Sequence, residues 1–196
     1  YSFNLDARDV GVETVALIPE LPEPLSGTLG FTASGVGQFD DPRYEIRRLT
    51  VVDLFIGDEE GGQVTGRLDV RDGSLTLDLE GASSSLAVSV SGSVALPPEN
   101  DVALFVRVVN MSLDPYVRMF VPQLSPYATA VVSGSMRVSG ARSWDHLRAE
   151  ATIEQVDLSL FDYDIYNDGA LRLTLDRQAV GVDRWRSVGA GAALGV

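Results

Sequence analysis

The stretch Arg71–Leu96 reads RDGSLTLDLEGASSSLAVSVSGSVAL, and its apolar residues fall largely on every second position. Leucine and valine alternate with Ser, Thr, Asp and Gly, which is the period of a β-strand with one apolar and one polar face. A sheet of this kind needs a second layer against its apolar face. The central question for this chain is therefore what covers that face.

The remainder of the chain repeats the same pattern of strand and turn. Pro, Asn and Gly separate the strands, and the Asp-Gly dipeptides at Asp72–Gly73 and Asp168–Gly169 predict hairpin turns. Only Leu113–Val121 resembles a helix, since Pro115 suits a first helical turn and Pro122 ends it. The predicted strands are Tyr1–Asp6, Val12–Leu17, Ser26–Gly35, Tyr44–Ile56, Gly62–Arg71, Ser74–Glu80, Ser85–Leu96, Val102–Asn110, Thr129–Ser139, Leu147–Ser159, Ala170–Asp176 and Gln178–Trp185.

Composition excludes several classes of function. The chain has 15 basic residues, all Arg, and 28 acidic ones. The resulting net charge of −13 disfavours nucleic acid and anionic membrane surfaces as partners. The chain has no Cys, so it contains no disulfide and no thiolate metal site. No apolar run reaches the roughly 18 residues of a transmembrane helix. Because the pattern starts and stops abruptly, we interpret the chain as a fragment of a longer protein.

The sequence contains no catalytic set. His146, the only histidine, is flanked by charged residues in SWDHLRAE and is interpreted as a surface turn residue, since a catalytic histidine needs a nucleophile and an orienting acid placed around it. The acidic stretch Asp162–Gly169 does not have the spacing of an EF-hand calcium loop. We therefore predict that the protein is not an enzyme and that it has no metal site and no cofactor.

A weak repeat divides the chain. Ser26-Gly27 and Ser133-Gly134 each precede an aromatic–Asp pair and a Val-Asp-Leu triplet, at a spacing of about 105 residues. The repeat predicts an elongated fragment that covers residues 1–196, with copies at approximately 21–125 and 126–196, the second incomplete.

The alternating positions supply the candidate binding residues. Two arrangements would remove these apolar side chains from water: two sheets that cover each other, or one sheet curled into a barrel or gutter that holds an apolar ligand. Mid-sized aliphatic side chains without hydrogen-bonding groups favour a lining for acyl chains. The candidates are Leu75, Leu77, Leu79, Leu86, Val88, Val90, Leu104, Val106, Val108, Leu171, Leu173 and Leu175.

Several segments resemble one known family. LSGTLGFTASGVGQFDDP, VTGRLDVRDGSLTLDLEG, LSPYATAVVSGSMRVSG and IYNDGALRLTL are similar to the β-repeats of the TamB translocation-and-assembly-module family and its AsmA-like relatives. This resemblance implies an all-β fold: a long antiparallel meander sheet curled into an open taco- or gutter-like groove with an apolar interior. We allow it at most one short helix, near residues 113–121.

The resemblance also implies a function. The chain would be a segment of a periplasmic bridge-like lipid-transfer protein that carries phospholipid acyl chains between the inner and outer membranes, with an inner-membrane anchor outside this fragment. The alternative is a β-scaffold that assists assembly of outer-membrane barrel proteins by strand pairing with a BamA-like barrel partner. A carbohydrate-binding or adhesin sandwich is a third interpretation, prompted by Tyr163 and Tyr166.

Overall fold

The computed structural model describes residues 1–14, 24–38, 41–83, 87–98, 101–114, 117, 118, 123, 125, 127–141, 143, 146–161, 163–176, 179–184, 186–189 and 192–195. The chain divides into two compact units, Tyr1–Leu104 and Phe105–Val196. Within the described residues no helix is long and apolar enough to cross a membrane.

The first unit is a meander of antiparallel strands in sequence order. The strands are β1 (Ser2–Gly11), β2 (Leu25–Gly37), β3 (Pro42–Ile56), β4 (Glu59–Arg71), β5 (Ser74–Ala82) and β6 (Ala87–Ala95), and the first residues of β7 (Asp101–Ser112) follow. Two-residue turns join β3 to β4 and β4 to β5, and the second uses the positive φ angles of Asp72 and Gly73, as the Asp-Gly dipeptide predicts.

The predicted strand Val12–Leu17 is wrong at its start. Val12–Thr14 forms a 3₁₀ turn in which the Thr14 hydroxyl donates to the carbonyl of Gly11 over 2.6 Å. Val12 is buried at 5% exposure, so its side chain leaves the alternating strand pattern and anchors the turn. Residues 15–17 lie outside the described residues.

The second unit is also an antiparallel sheet, but its strands do not all pair in sequence order. The expected helix at 113–121 falls partly outside the described residues. Among the described ones, the Val117 amide donates to the Leu113 carbonyl over 2.9 Å, which is the hydrogen bond of one helical turn. After β7 come β8 (Ala128–Ala141), β9 (Arg148–Leu160), β10 (Tyr163–Asn167), β11 (Leu171–Asp176), β12 (Ala179–Arg184), β13 (Arg186–Gly189) and β14 (Ala192–Gly195).

The predicted hairpin at Asn167–Gly169 is wrong. Tyr163 pairs with Leu160 and Leu171 pairs with Ile153, so β10 and β11 follow the same edge of β9 and the chain does not reverse between them. The Asn167 side chain replaces ladder hydrogen bonds here. Its Oδ1 accepts from the Val156 amide over 2.8 Å, and its Nδ2 donates to the carbonyls of residues 154 and 169 over 3.0 and 2.8 Å. The segment is therefore a bulge held by one side chain.

The predicted fold class is confirmed as all-β, an antiparallel meander sheet that is open and not closed into a barrel. The two copies of the repeat contribute the neighbouring strand pairs β2–β3 and β8–β9. Each pair has a register shift beside its Ser-Gly dipeptide. The aromatic–Asp pairs of the repeat, at 39–40 and 144–145, lie outside the described residues, and the repeat boundaries stay a prediction.

The sheet has almost no interior. Buried apolar residues among the described ones are Val12, Ala33, Val102 and Ala130, and no large side chain is completely buried. The alternating aliphatic side chains are therefore arranged along a surface.

Candidate functional site

Cross-strand register sorts the first unit into two faces, because directly opposed residues of an antiparallel pair point to the same side. One row crosses six strands through Leu5, Ala33, Ile46, Leu68, Leu77 and Gly92. The next row on that side runs through Phe3, Gly35, Tyr44, Val70, Leu75 and Val94. These rows, with Leu79, Val88 and Val90, define the apolar face of the first unit.

The opposite side of the same strands is the polar face. The intervening row runs through Asn4, Ser34, Glu45, Asp69, Thr76 and Ser93. Ion pairs lie on this side, where Arg67 binds Asp78 over 2.8 Å and Arg71 binds Asp69 over 2.9 Å. A concavity here is lined by Glu45, Arg67, Asp78 and other residues of the polar face, and also by Leu68, Leu77 and Gly92 of the first row.

The predicted lining residues can now be placed. Leu75, Leu77, Leu79, Val88 and Val90 share the apolar face of the first unit. Each of them is half-buried, although a residue in a closed core would be buried. Leu86 lies outside the described residues.

Strand β7 is apolar on both faces, so the sequence does not predict which face is sheltered. In the structure its residues alternate in exposure. Val102 is buried at 8%, and Leu104, Val106 and Val108 are half-buried, while the odd-numbered Phe105 and Val109 are 37% and 44% exposed. The Arg137 guanidinium carbon lies 5.8 Å from the centre of the Phe105 ring. Phe105 therefore shares a side with charged residues, and the even-numbered side chains point to the other face.

The second unit has an apolar face of the same kind. Leu171, Leu173 and Leu175 lie opposite Ile153, Ala151 and Ala149 on β9. The β9 residues in turn lie opposite Gly134, Met136 and Val138 on β8. All three leucines are half-buried, and with their neighbours on β9 and β8 they form an apolar surface.

An aromatic corner was missed by the sequence reasoning. The rings of Tyr1, Phe3 and Tyr44 lie 6.0–6.4 Å apart between centroids, at the end of the apolar face, and are 38–41% exposed. A Cβ on Gly35 would overlap the Phe3 and Tyr44 rings, so the glycine makes room for them. The tyrosine hydroxyls interact, and this hydrogen bond raises the pKa of Tyr1. The sequence does contain a signal for this corner, because Phe3 and Leu5, like Tyr44 and Ile46, are two positions apart and therefore lie on the same side of their strands.

The chemical character of the site is that of an apolar surface. The described residues contain no cluster of His, Cys, Asp or Glu that could hold a metal ion. The Nδ1 atom of His146 lies 3.0 Å from the Ser143 hydroxyl in an exposed turn. The rows of the apolar face offer hydrocarbon contact and no charge.

Comparison with known proteins adds no relative: no protein-family model, curated protein or solved structure matches the chain.

Proposed function

We propose that this chain is a segment of a lipid-transfer protein whose apolar faces hold phospholipid acyl chains while the headgroups stay in water. The observation that carries the proposal is the state of the aliphatic rows. They run across the six strands of the first unit, carry no charge and, apart from the buried Ala33 and Gly35, are half-buried or exposed. Each methylene group removed from water on such a surface contributes about 0.8 kcal/mol, so an acyl chain gains by lying along it.

Acyl chains suit this surface better than a protein layer. Any polar group that a covering protein segment brought to this surface would need a hydrogen-bonding partner there. The row through Ala33, Ile46, Leu68 and Leu77 offers only hydrocarbon. Hydrocarbon chains require no such partners. The segment resemblance to the TamB family supports the same choice and the periplasmic location that goes with it.

The transport mechanism that we propose is passive. An acyl chain would move from one aliphatic row to the next, because neighbouring rows offer nearly equal contact and no polar group holds the chain at one position. The polar face, with its Arg–carboxylate pairs, would keep the opposite side hydrated. These surface pairs contribute little stability individually, so their main effect is on solubility.

Mass spectrometry of lipids that copurify with the chain tests the proposal. The expected result is phospholipid at a stoichiometry near one or above, lost when Leu77 is replaced by Asp and retained when Ser93, on the polar face of the neighbouring strand, is replaced by Asp. Absence of lipid from the folded chain, also after incubation with phospholipid in detergent, would contradict the proposal.

A second candidate function rests on the β1 edge. Tyr1, Phe3 and Leu5 are 41%, 39% and 49% exposed, more than the half-buried residues of their rows on inner strands, and β1 pairs with β2 alone among the described strands. An edge strand of this kind can accept a further strand. Disulfide crosslinks between Cys variants of Asn4 and an outer-membrane barrel strand, in regular register, would favour the scaffold over the lipid carrier.

The third interpretation, a sugar-binding sandwich, loses its main support. Tyr163 lies opposite Leu160 and Tyr166 lies opposite Asp157, and these positions alternate along β10. The two rings therefore point to opposite faces of the sheet and do not form one platform for a sugar.

A further inference from the structure

We propose that the apolar face of the first unit selects lipids whose headgroups carry no net charge and discriminates against anionic lipids with the same acyl chains. This inference rests on the proposed function and specifies its substrate class. It follows from two features: the uncharged rows, and the carboxylates in the turns at the two ends of β4.

The apolar face itself provides no means to recognise a headgroup. Its side chains are aliphatic, aromatic or Gly, and its polar atoms are the tyrosine hydroxyls of the aromatic corner. The arginines nearest to the rows, Arg67 and Arg71, lie on the polar face and bind acids there. Headgroup selection therefore depends on the ends of the strands, where a headgroup must leave the face and enter water.

Carboxylates occupy both ends of β4. Asp72 lies in the β4–β5 turn directly after the row of Val70 and Leu75, and Asp58 lies in the β3–β4 turn at the far end of β4. Both side chains are exposed, and neither makes an ion pair within the described part of the chain. A headgroup at either end of these strands meets negative charge.

The charge of the whole chain acts in the same direction. With a net charge of −13, the long-range potential of the chain repels anions. The Debye length is roughly 20 Å at about 20 mM salt and about 4 Å at about 500 mM salt. Discrimination caused by these charges must therefore weaken as salt increases, whereas discrimination by shape would not.

The test is a competition between two lipids. The purified chain is incubated with equal amounts of palmitoyl-oleoyl phosphatidylcholine and palmitoyl-oleoyl phosphatidylglycerol in detergent, re-isolated without detergent, and analysed by quantitative mass spectrometry. We expect the zwitterionic lipid to exceed the anionic one by about threefold or more at about 20 mM salt and to approach parity at about 500 mM salt.

Two variants separate border charge from total charge. The double variant Asp58→Asn, Asp72→Asn keeps the turns, because Asn tolerates the positive φ of position 72, and should reduce the preference below about twofold at low salt. The double variant Asp78→Asn, Glu80→Gln removes the same charge from the polar face and should leave most of the preference.

The outcomes are distinguishable. Equal loading of both lipids at low salt would overturn this inference and leave lipid binding intact. An equal effect of the two double variants would overturn the role of the turn carboxylates. Absence of both lipids from the folded chain would overturn the proposed function, and the inference with it.

Discussion

Replacing Leu77 by Asp tests the apolar face at its centre. Leu77 lies opposite Leu68 on one side and Gly92 on the other, in the row that crosses the first unit. A carboxylate there keeps its hydration and prevents about two methylene groups of an acyl chain from touching the face. At about 0.8 kcal/mol for each, the lost contact is about 1.6 kcal/mol, or about 15-fold in affinity.

The assay is titration of the folded protein with a fluorescent fatty acyl probe, with circular dichroism as the check on folding. Ser93→Asp is the matched control, since it adds the same charge on the adjacent strand but on the polar face, opposite Thr76. We expect the control to bind within about twofold of the unchanged chain. Equal binding by folded Leu77→Asp and by the control would refute the assignment of the site to this face.

Three further substitutions test the fold. Asn167→Ala removes three hydrogen bonds and should lower the free energy of unfolding, measured in urea, by about 2 kcal/mol. The stability of Asn167→Asp should lie between those of the Ala variant and the unchanged chain. A change below about 0.5 kcal/mol for Asn167→Ala would mean that the bulge does not depend on this side chain. Gly35→Ala should cost about 1–3 kcal/mol because the added methyl meets the two aromatic rings, whereas Gly30→Ala has room, and equal urea midpoints for the two would contradict this. The hydrogen bond from Arg47 holds the pKa of Glu45 below its ordinary value of 4.5. A carboxylate with a lowered folded pKa contributes stability above its unfolded pKa and loses it as the pH falls through the folded one. Arg47→Gln should therefore lower the urea midpoint at about pH 7, and this effect should diminish as the pH falls through the folded pKa of Glu45; a difference independent of pH would exclude the ion pair as its cause.

The strand pattern was predictable from the sequence because each strand obeys a local rule. Leu75, Leu77 and Leu79 alternate with polar residues, and only one register places them together on one side. The two-residue turn at Asp72–Gly73 follows from the backbone preference of those residues alone.

Other features depended on contacts distant in sequence. At Asn167 the local Asn-Asp-Gly signal favours a reversal, but the side chain bonds to the backbone of β9, a contact that the turn residues themselves do not indicate. In β7, Val106 and Val109 look alike in sequence, and neighbouring strands decide which is sheltered. The aromatic corner combines Tyr1 with Tyr44 through pairing of β1, β2 and β3.

Photo-crosslinking tests the central claim most directly. A phosphatidylcholine with a diazirine in its acyl chain is bound to the chain and irradiated, and the labelled residues are identified by peptide mass spectrometry. The account predicts labels on Leu75, Leu77 and Leu79 and few on Thr76, Asp78 and Glu80 between them. Labels distributed equally over both sets, or confined to the second, would contradict the claim that acyl chains cover the apolar face.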